Sequence, residues 1–433
     1  MKQYIFFLII SIIILFSSCN SNRYSQSLLD YNPDLNNISF RQNHWTNNEG
    51  FSFAIIPDPQ KYTDLDSQTF SPFPYVIDQW KIYYRQTEFI AQNSVQNGGD
   101  FSFALHVGDH VEHQNWKPFE WDLAVKCFEN LNGQIPVLTV PGNHDCDIWV
   151  GPSHQNESFQ SYNKYFGPDT AFFKDKDWYK GSSQEGRNSW AIFNAAGKDI
   201  LVIGLELNPD DYSIQWAQDI LDNNKNLPAI ILTHAYLSSA QGIDDDNDNV
   251  DEYEDEDEEK KEKPKKKLTF KKITFKKNKK KEEYIPGINN KFNKSDYRKK
   301  FDGWLPKKMW KNFVSNNDQI FLVVSGHVCT EEKPCGFRID KNDNGYTTYS
   351  IYSNFQDFRN YLKEHGIKHK RKPHGCGDGW FSIVDIDLQN KKIDFSCFNS
   401  ETSDVLEGPP YQMSFPIDWD WNERLGLDLI DAK

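Results

Sequence analysis

Apolar residues fall into short runs that stop at glycine or proline, and polar side chains follow each stop. Residues 51–56, Phe-Ser-Phe-Ala-Ile-Ile, read as a strand ended by Pro57, with Asp58 and Gln60 directly after it. Over residues 80–95, Trp80, Tyr83, Tyr84, Phe89 and Ile90 recur at helical spacing, and Asn97-Gly98-Gly99 closes the helix. A second strand, 101–107, stops at Gly108-Asp109-His110-Val111-Glu112. An amphipathic helix over 119–131 leads into the β-branched run from Ile135, which Pro141 and Gly142 break just before Asn143-His144-Asp145. The pattern continues with a strand at 199–207, a helix at 214–222, and a strand at 228–233 that ends on His234. The strand at 320–325 stops at Gly326-His327-Val328-Cys329. Residues 347–352 and 380–388 alternate as strands, and 391–398 is the hairpin partner of the latter. This β-α-β alternation predicts an α/β fold, a sheet with helices on its faces.

The chemistry lies where the strands end. Asp58 and Gln60, Asp109, Asn143 and His144, His234 and His327 stand at five strand termini. Termini on one edge of a sheet converge in space, so these oxygen and nitrogen donors can surround a pair of cations. Carboxylate and amide oxygens suit hard cations, while imidazole binds metal or moves protons. Among the later polar residues, His113 reads either as a pocket residue or as a solvated loop histidine. No glycine-rich phosphate loop, Ser-His-Asp set or cysteine nucleophile motif competes for the role.

Composition and charge set the boundaries. Lys2 precedes the apolar run 4–16, which at about 13 residues is too short for a membrane span of about 20 and fits a signal peptide over residues 1–19. Phe16-Ser17-Ser18-Cys19 also resembles a lipoprotein signal, so the chain is expected to be exported, or alternatively held at a membrane through a lipid on Cys19. Residues 20–50 form a polar arm. Within 244–281, an acidic block is followed by a lysine block of equal and opposite charge, so the net charge of −14 belongs to the remainder, and the insert is set at 242–282. Such blocks bury no core, and this insert is expected to be disordered. The acidic remainder argues against binding a nucleic-acid backbone. A catalytic domain is therefore expected over 51–400, interrupted by the insert, with 401–433 as a C-terminal extension. Beyond Cys19, the cysteines at 127, 146, 329, 335, 376 and 397 permit disulfides without making a disulfide scaffold.

Taken together, Asp58-x-Gln60, Gly108-Asp109-x-x-Glu112, Gly142-Asn143-His144-Asp145, His234 and Gly326-His327-x-Cys329 resemble the calcineurin-like metallophosphoesterases, over about residues 51–398 apart from the insert. The resemblance implies a four-layer α/β sandwich, two β-sheets flanked by helices, with a dinuclear metal site. It places Asp58, Gln60 and Asp109 on the first metal, and Asp109, Asn143, His234 and His327 on the second, with Asp109 bridging. His144 is then the catalytic histidine, oriented by the carboxylate of Glu112, and the cofactors are two divalent or trivalent ions of manganese, iron or zinc. Gln60 stands where the family usually has histidine, and Glu112 where it has aspartate. Cys329 replaces the second histidine of the Gly-His-x-His motif, a ligand of the first metal. A thiolate there selects zinc or iron; in the other reading, Cys329 pairs with Cys335 or Cys376 in a disulfide. The implied activity is hydrolysis of a phosphomonoester or phosphodiester, its partner the substrate, through a metal-bridged hydroxide. The alternative is a degenerate member that binds a phosphorylated ligand or glycan without turnover. Residues 352–356 and 375–380 resemble stretches of exported branches of the family, where Asn354 or Gln356 contacts substrate or else merely edges a strand.

Overall fold

The computed structural model describes residues 45, 48–65, 79–113, 117–147, 159–183, 185–238, 305–328, 333–356, 358 and 377–427. The signal segment, the 242–282 insert and Cys329 lie outside the described residues. In chain order the elements are β1 (Gly50–Ile56), the single turn α1 (Gln60–Thr63), α2 (Gln79–Gln92), β2 (Phe101–His106), α3 (Pro118–Phe128), β3 (Val137–Thr139), α4 (Gln160–Phe166), β4 (Tyr179–Ser182), β5 (Ser189–Ala195), β6 (Lys198–Leu205) and α5 (Asp211–Asn223). They continue with β7 (Ala229–Thr233), α6 (Pro306–Met309), β8 (Ile320–Ser325), β9 (Cys335–Lys341), β10 (Thr347–Ser353), β11 (Trp380–Asp387), β12 (Lys392–Asn399), β13 (Gln412–Pro416) and α7 (Trp421–Leu425). Among the described residues, no helix is long and apolar enough to cross a membrane.

The strands form two mixed sheets. One has the order β13-β12-β11-β1-β2-β3 and the other β4-β5-β6-β7-β8-β10-β9. Strand β1 shows why a strand can lack alternation. Phe51, Phe53 and Ile55 enter the core between the sheets, whereas Ala54 and Ile56 pack on the helical side. Both faces are covered, so the run is apolar but for Ser52, whose buried hydroxyl donates to Asp385 Oδ1. Strand β12 alternates because only Ile393, Phe395 and Cys397 reach the inter-sheet core, while Lys392, Asp394 and Ser396 stay half-exposed. Helices α2 and α3 lay Trp80, Tyr83, Phe89, Trp121 and Phe128 on the first sheet, and α5 lays Ile214, Ala217 and Leu221 on the second. The result is the four-layer α/β sandwich that the sequence predicts.

The chain beyond residue 400 does more than extend the domain. Strand β13 pairs antiparallel with β12, and α7 delivers Arg424, 2 % exposed, to the end of the second sheet where β8 and β10 begin. Its guanidinium donates to the carbonyls of Asp318, Ile320 and Thr347 and lies 4.5 Å from the Trp419 ring. Burial pushes its pKa down to about 10. Removing these donors takes the side-chain donor from the Asp318 carbonyl and leaves those of Ile320 and Thr347 to Thr348 Oγ1 and Trp419 Nε1, so Arg424→Ala should lower the unfolding free energy by about 2–4 kcal/mol. Denaturant unfolding measures this. A change within about 0.5 kcal/mol would make Arg424 a bystander.

Candidate metal centre

The two sheets bring their carboxyl-terminal strand ends together at one rim. Strands β1, β2 and β3 run parallel in the first sheet, as do β6, β7 and β8 in the second. Asp58 and Gln60 follow β1, Asp109 follows β2, Asn143 follows β3, His234 follows β7 and His327 follows β8. Main-chain and side-chain hydrogen bonds cross between the sheets. His234 Nδ1 lies 2.7 Å from the Val107 carbonyl, and the His327 amide donates to Asp58 Oδ2 at 3.0 Å.

These close approaches require glycine at two turns. A Cβ on Gly142 would stand 2.1 Å from Asp109 Oδ1, and one on Gly326 would stand 2.3 Å from both Asp58 Oδ1 and Val107 Cγ2. Asp109 and His327 themselves hold positive φ angles of 56° and 67°. That conformation is costly away from glycine and persists where surrounding structure enforces it. Gly326→Ala should therefore displace Asp58, lowering metal affinity by about tenfold or more. Metal titration followed by thermal melting reads the effect, and unchanged affinity would show that the rim tolerates the methyl group.

At the centre, His234 Nε2 faces three electron donors. Asn143 Oδ1 is 3.0 Å away, His327 Nδ1 3.1 Å and Asp109 Oδ2 3.3 Å. The Val107 carbonyl takes the Nδ1 proton, which leaves Nε2 as the lone-pair nitrogen of the neutral ring. A single proton between these atoms serves one contact at a time, whereas a metal ion serves them all. Asp58 Oδ1 and Gln60 Oε1 are buried with no hydrogen-bond partner. Gln60 instead donates through Nε2 to Asp109 Oδ2 at 3.0 Å. Buried acceptors of this kind are costly unless a cation is supplied. The donor set thus fits metal ions.

The electrostatics point the same way. Burial pushes Asp58 above the usual carboxylate range. Burial works against the Asp109 carboxylate too, yet His234 and His144 hold its pKa below the usual range. For His234, burial opposes the charged form, but Asp109 outweighs it and raises the pKa to about 10. Burial, with His234 alongside, lowers His327 to about 3. The protein groups alone therefore pair a charged His234 with the Asp109 carboxylate.

His144 lies at the mouth, 30 % exposed at its side chain. Its amide donates to Asp109 Oδ1 at 2.9 Å, and its Nδ1 lies 2.8 Å from the backbone carbonyl of Glu112. The Glu112 carboxylate, expected to orient the ring, is 3.8 Å from Nδ1 and binds Lys61 Nζ at 2.5 Å. The carbonyl is thus the hydrogen-bond partner of Nδ1, while the carboxylate pairs with Lys61 through Oε1 and keeps Oε2 buried beside the ring. Asn354 donates from Nδ2 to Asp58 Oδ2 at 2.6 Å, which places it behind a metal-site carboxylate. Gln356 is held by the Asn354 side chain through its own amide.

Lys61 and Asp145 take positions here that local pattern does not assign them. Asp145 accepts from the amides of His110 and Gly142, joining the turns after β2 and β3. Its place beside Asn143-His144 is visible in sequence, but its partners are not. His113 lies 2.9 Å from Glu120 Oε1 in a second group with Asp64. There Lys117 Nζ, 3.6 Å from Asp64 and 3.8 Å from Glu120, already supplies a cation. Cys335, expected as a partner of Cys329, instead meets Cys397 at 3.6 Å between sulfurs, because β9 packs across the sandwich onto β12.

Residues 51–261 match the family model described as calcineurin-like phosphoesterase. That span holds every candidate site residue up to His234 and excludes His327 and Asn354. The chain is also 27 % identical over 191 residues to an uncharacterized protein, YvnB, of Bacillus subtilis (strain 168). The aligned stretch is 43 % of this chain and 13 % of that much longer relative. A solved structure titled GAP50, the anchor in the inner membrane complex of Plasmodium, overlaps 88 % of this chain and 94 % of its own, with a TM-score of 0.39 and 11 % identity.

Proposed function

The chain is a member of the calcineurin-like phosphoesterase family through residues 51–261, and on that premise we propose that it is an exported hydrolase of phosphate monoesters or diesters acting at a two-metal site. The observation that carries this reading is the convergence of Asp109, Asn143 and His327 on His234 Nε2, beside the unpartnered oxygens of Asp58 and Gln60. Asp58, Gln60 and Asp109 hold the first metal, and Asp109, Asn143, His234 and His327 the second. When bound, the pair neutralises phosphoryl oxygens and activates water for in-line displacement.

The protein's own groups supply the rest. Asn354 fixes Asp58 through Oδ2 and leaves Oδ1 for the first metal. Asp145 sets the spacing between the Asp109 and Asn143 turns. With Nδ1 committed to the Glu112 carbonyl, His144 exchanges protons at Nε2 and protonates the leaving alkoxide. The apolar run after Lys2 supports export, with membrane attachment only through a lipid on Cys19. The net charge of −14 weighs against a nucleic-acid backbone as substrate surface.

Elemental analysis of the purified protein, paired with turnover of generic nitrophenyl mono- and diesters, tests the reading. Two tightly held metals with turnover are expected. Metal without turnover of either ester class would favour a ligand-binding member of the fold.

A further inference from the structure

We propose that Cys335 and Cys397 are a structural disulfide that joins the two sheets when the chain folds in contact with a disulfide donor. Cys335 opens β9, the edge strand of the seven-stranded sheet, and Cys397 lies in β12, one strand in from the edge of the other. The two strands belong to different sheets and share no hydrogen-bond ladder. Their sulfurs are nonetheless 3.6 Å apart, and both side chains are fully enclosed.

The backbones on either side are fixed independently. Cys335 is in register with Ser353 of β10, and Cys397 with Ser382 of β11. Across the gap, the rings of Phe337 and Phe395 pack 4.4 Å apart. Closing to a bond of about 2.05 Å asks each sulfur to move less than about 1 Å, within reach of a side-chain rotation. Cys335 Sγ also lies 3.4 Å from the Pro410 carbonyl, a contact that the bond would replace. The other two described cysteines face carbonyls, with no described sulfur opposite. Cys127 Sγ meets the Trp80 carbonyl and Cys146 Sγ the Gly142 carbonyl. Only the 335–397 pair, among the described residues, places sulfur against sulfur.

Both sulfurs are shut away from solvent in the folded chain, and burial with the neighbouring sulfur pushes the Cys397 thiol up, so the bond forms during folding. The donor is a small-molecule or protein disulfide, RS–SR. The thiolate of one cysteine attacks it and releases RS⁻, giving a mixed disulfide. The second thiolate then attacks the protein sulfur of that bond, forms Cys335–Cys397 and releases the second RS⁻. The two thiol protons end on the released thiolates. The donor gains two electrons and the cysteine pair loses two.

The bond would anchor the start of β9, where the Pro334 carbonyl accepts the amide of Asn354, the residue that holds Asp58. It would also close a loop of about 60 residues, which restricts the unfolded chain.

The full chain, produced in an oxidising folding compartment, is alkylated under denaturing conditions, digested without reduction and mapped by mass spectrometry. A cross-linked Cys335–Cys397 peptide is expected. Thermal melting should fall by about 5–10 °C on reduction in the wild type and be insensitive to reductant in Cys397→Ala. Recovery of both cysteines alkylated, or of Cys335 joined to Cys329 or Cys376, overturns the proposal.

Discussion

Asp109→Asn should empty both metal positions and abolish turnover. Asp109 is the one carboxylate at the centre of the cluster. Its Oδ2 is 3.3 Å from His234 Nε2 and 3.0 Å from Gln60 Nε2, while its Oδ1 receives the His144 amide. The amide replacement keeps the shape and removes the negative charge. Whichever way it turns, it places an NH₂ group either against the donors meant for metal or against the His144 amide. Losing an outer hydrogen bond to a ligand commonly costs 10–100-fold in metal affinity, so loss of the shared ligand itself should exceed about 100-fold. Elemental analysis and thermal melting of the purified variant separate metal loss from misfolding. A folded variant that still retains two metals would rule out the bridging role proposed for Asp109.

His144→Ala should have the opposite profile, with metal content kept and turnover lost. The His144 side chain makes none of the contacts around His234 Nε2, and its ring is held from outside by the Glu112 carbonyl. Loss of a general acid typically costs about 10²–10⁴-fold. The loss should be large for alkyl phosphate esters, whose leaving groups need a proton, and small for nitrophenyl esters, whose leaving groups do not. Equal losses on both ester types would assign His144 to structure rather than proton transfer. Replacing Glu112 by Gln is the companion measurement. Because the backbone carbonyl rather than the carboxylate holds the ring, Glu112→Gln should reduce turnover far less than His144→Ala.

Much of this architecture is written locally in the chain. Strand β1, helix α2 and strand β2 lie within a residue or a few of where apolar spacing and the stops at Pro57, Gly98 and Gly108 place them. A buried strand must be apolar, and a turn at its end must bend, so both leave marks in consecutive residues. Strand β5 is different. It carries the apolar run Trp190-Ala191-Ile192-Phe193, with Trp190 and Ile192 packed on the face away from the inter-sheet core, but no candidate ligand follows it, so the strand-end pattern does not mark it. Strand β13 has only Met413 and Phe415 pointing inward and ends on Pro416. It forms because β12 offers it a partner edge.

The sequence by itself determined which residues could bind cations, since carboxylate, amide and imidazole groups at strand ends are a property of the chain. It also set where each strand must stop, because Gly142 and Gly326 admit approaches that any Cβ would block. Only the tertiary structure decided the pairings that span long sequence separations. Asn354 reaches Asp58, Cys335 meets Cys397, and Arg424 caps carbonyls near residue 320. It decided too that a backbone carbonyl, which every residue has, takes the close hydrogen bond of His144 Nδ1, with the carboxylate of Glu112 standing 3.8 Å off. Local pattern reports what a segment must bury or turn. Which atoms meet across two packed sheets follows from register and layer spacing, and no single segment encodes those.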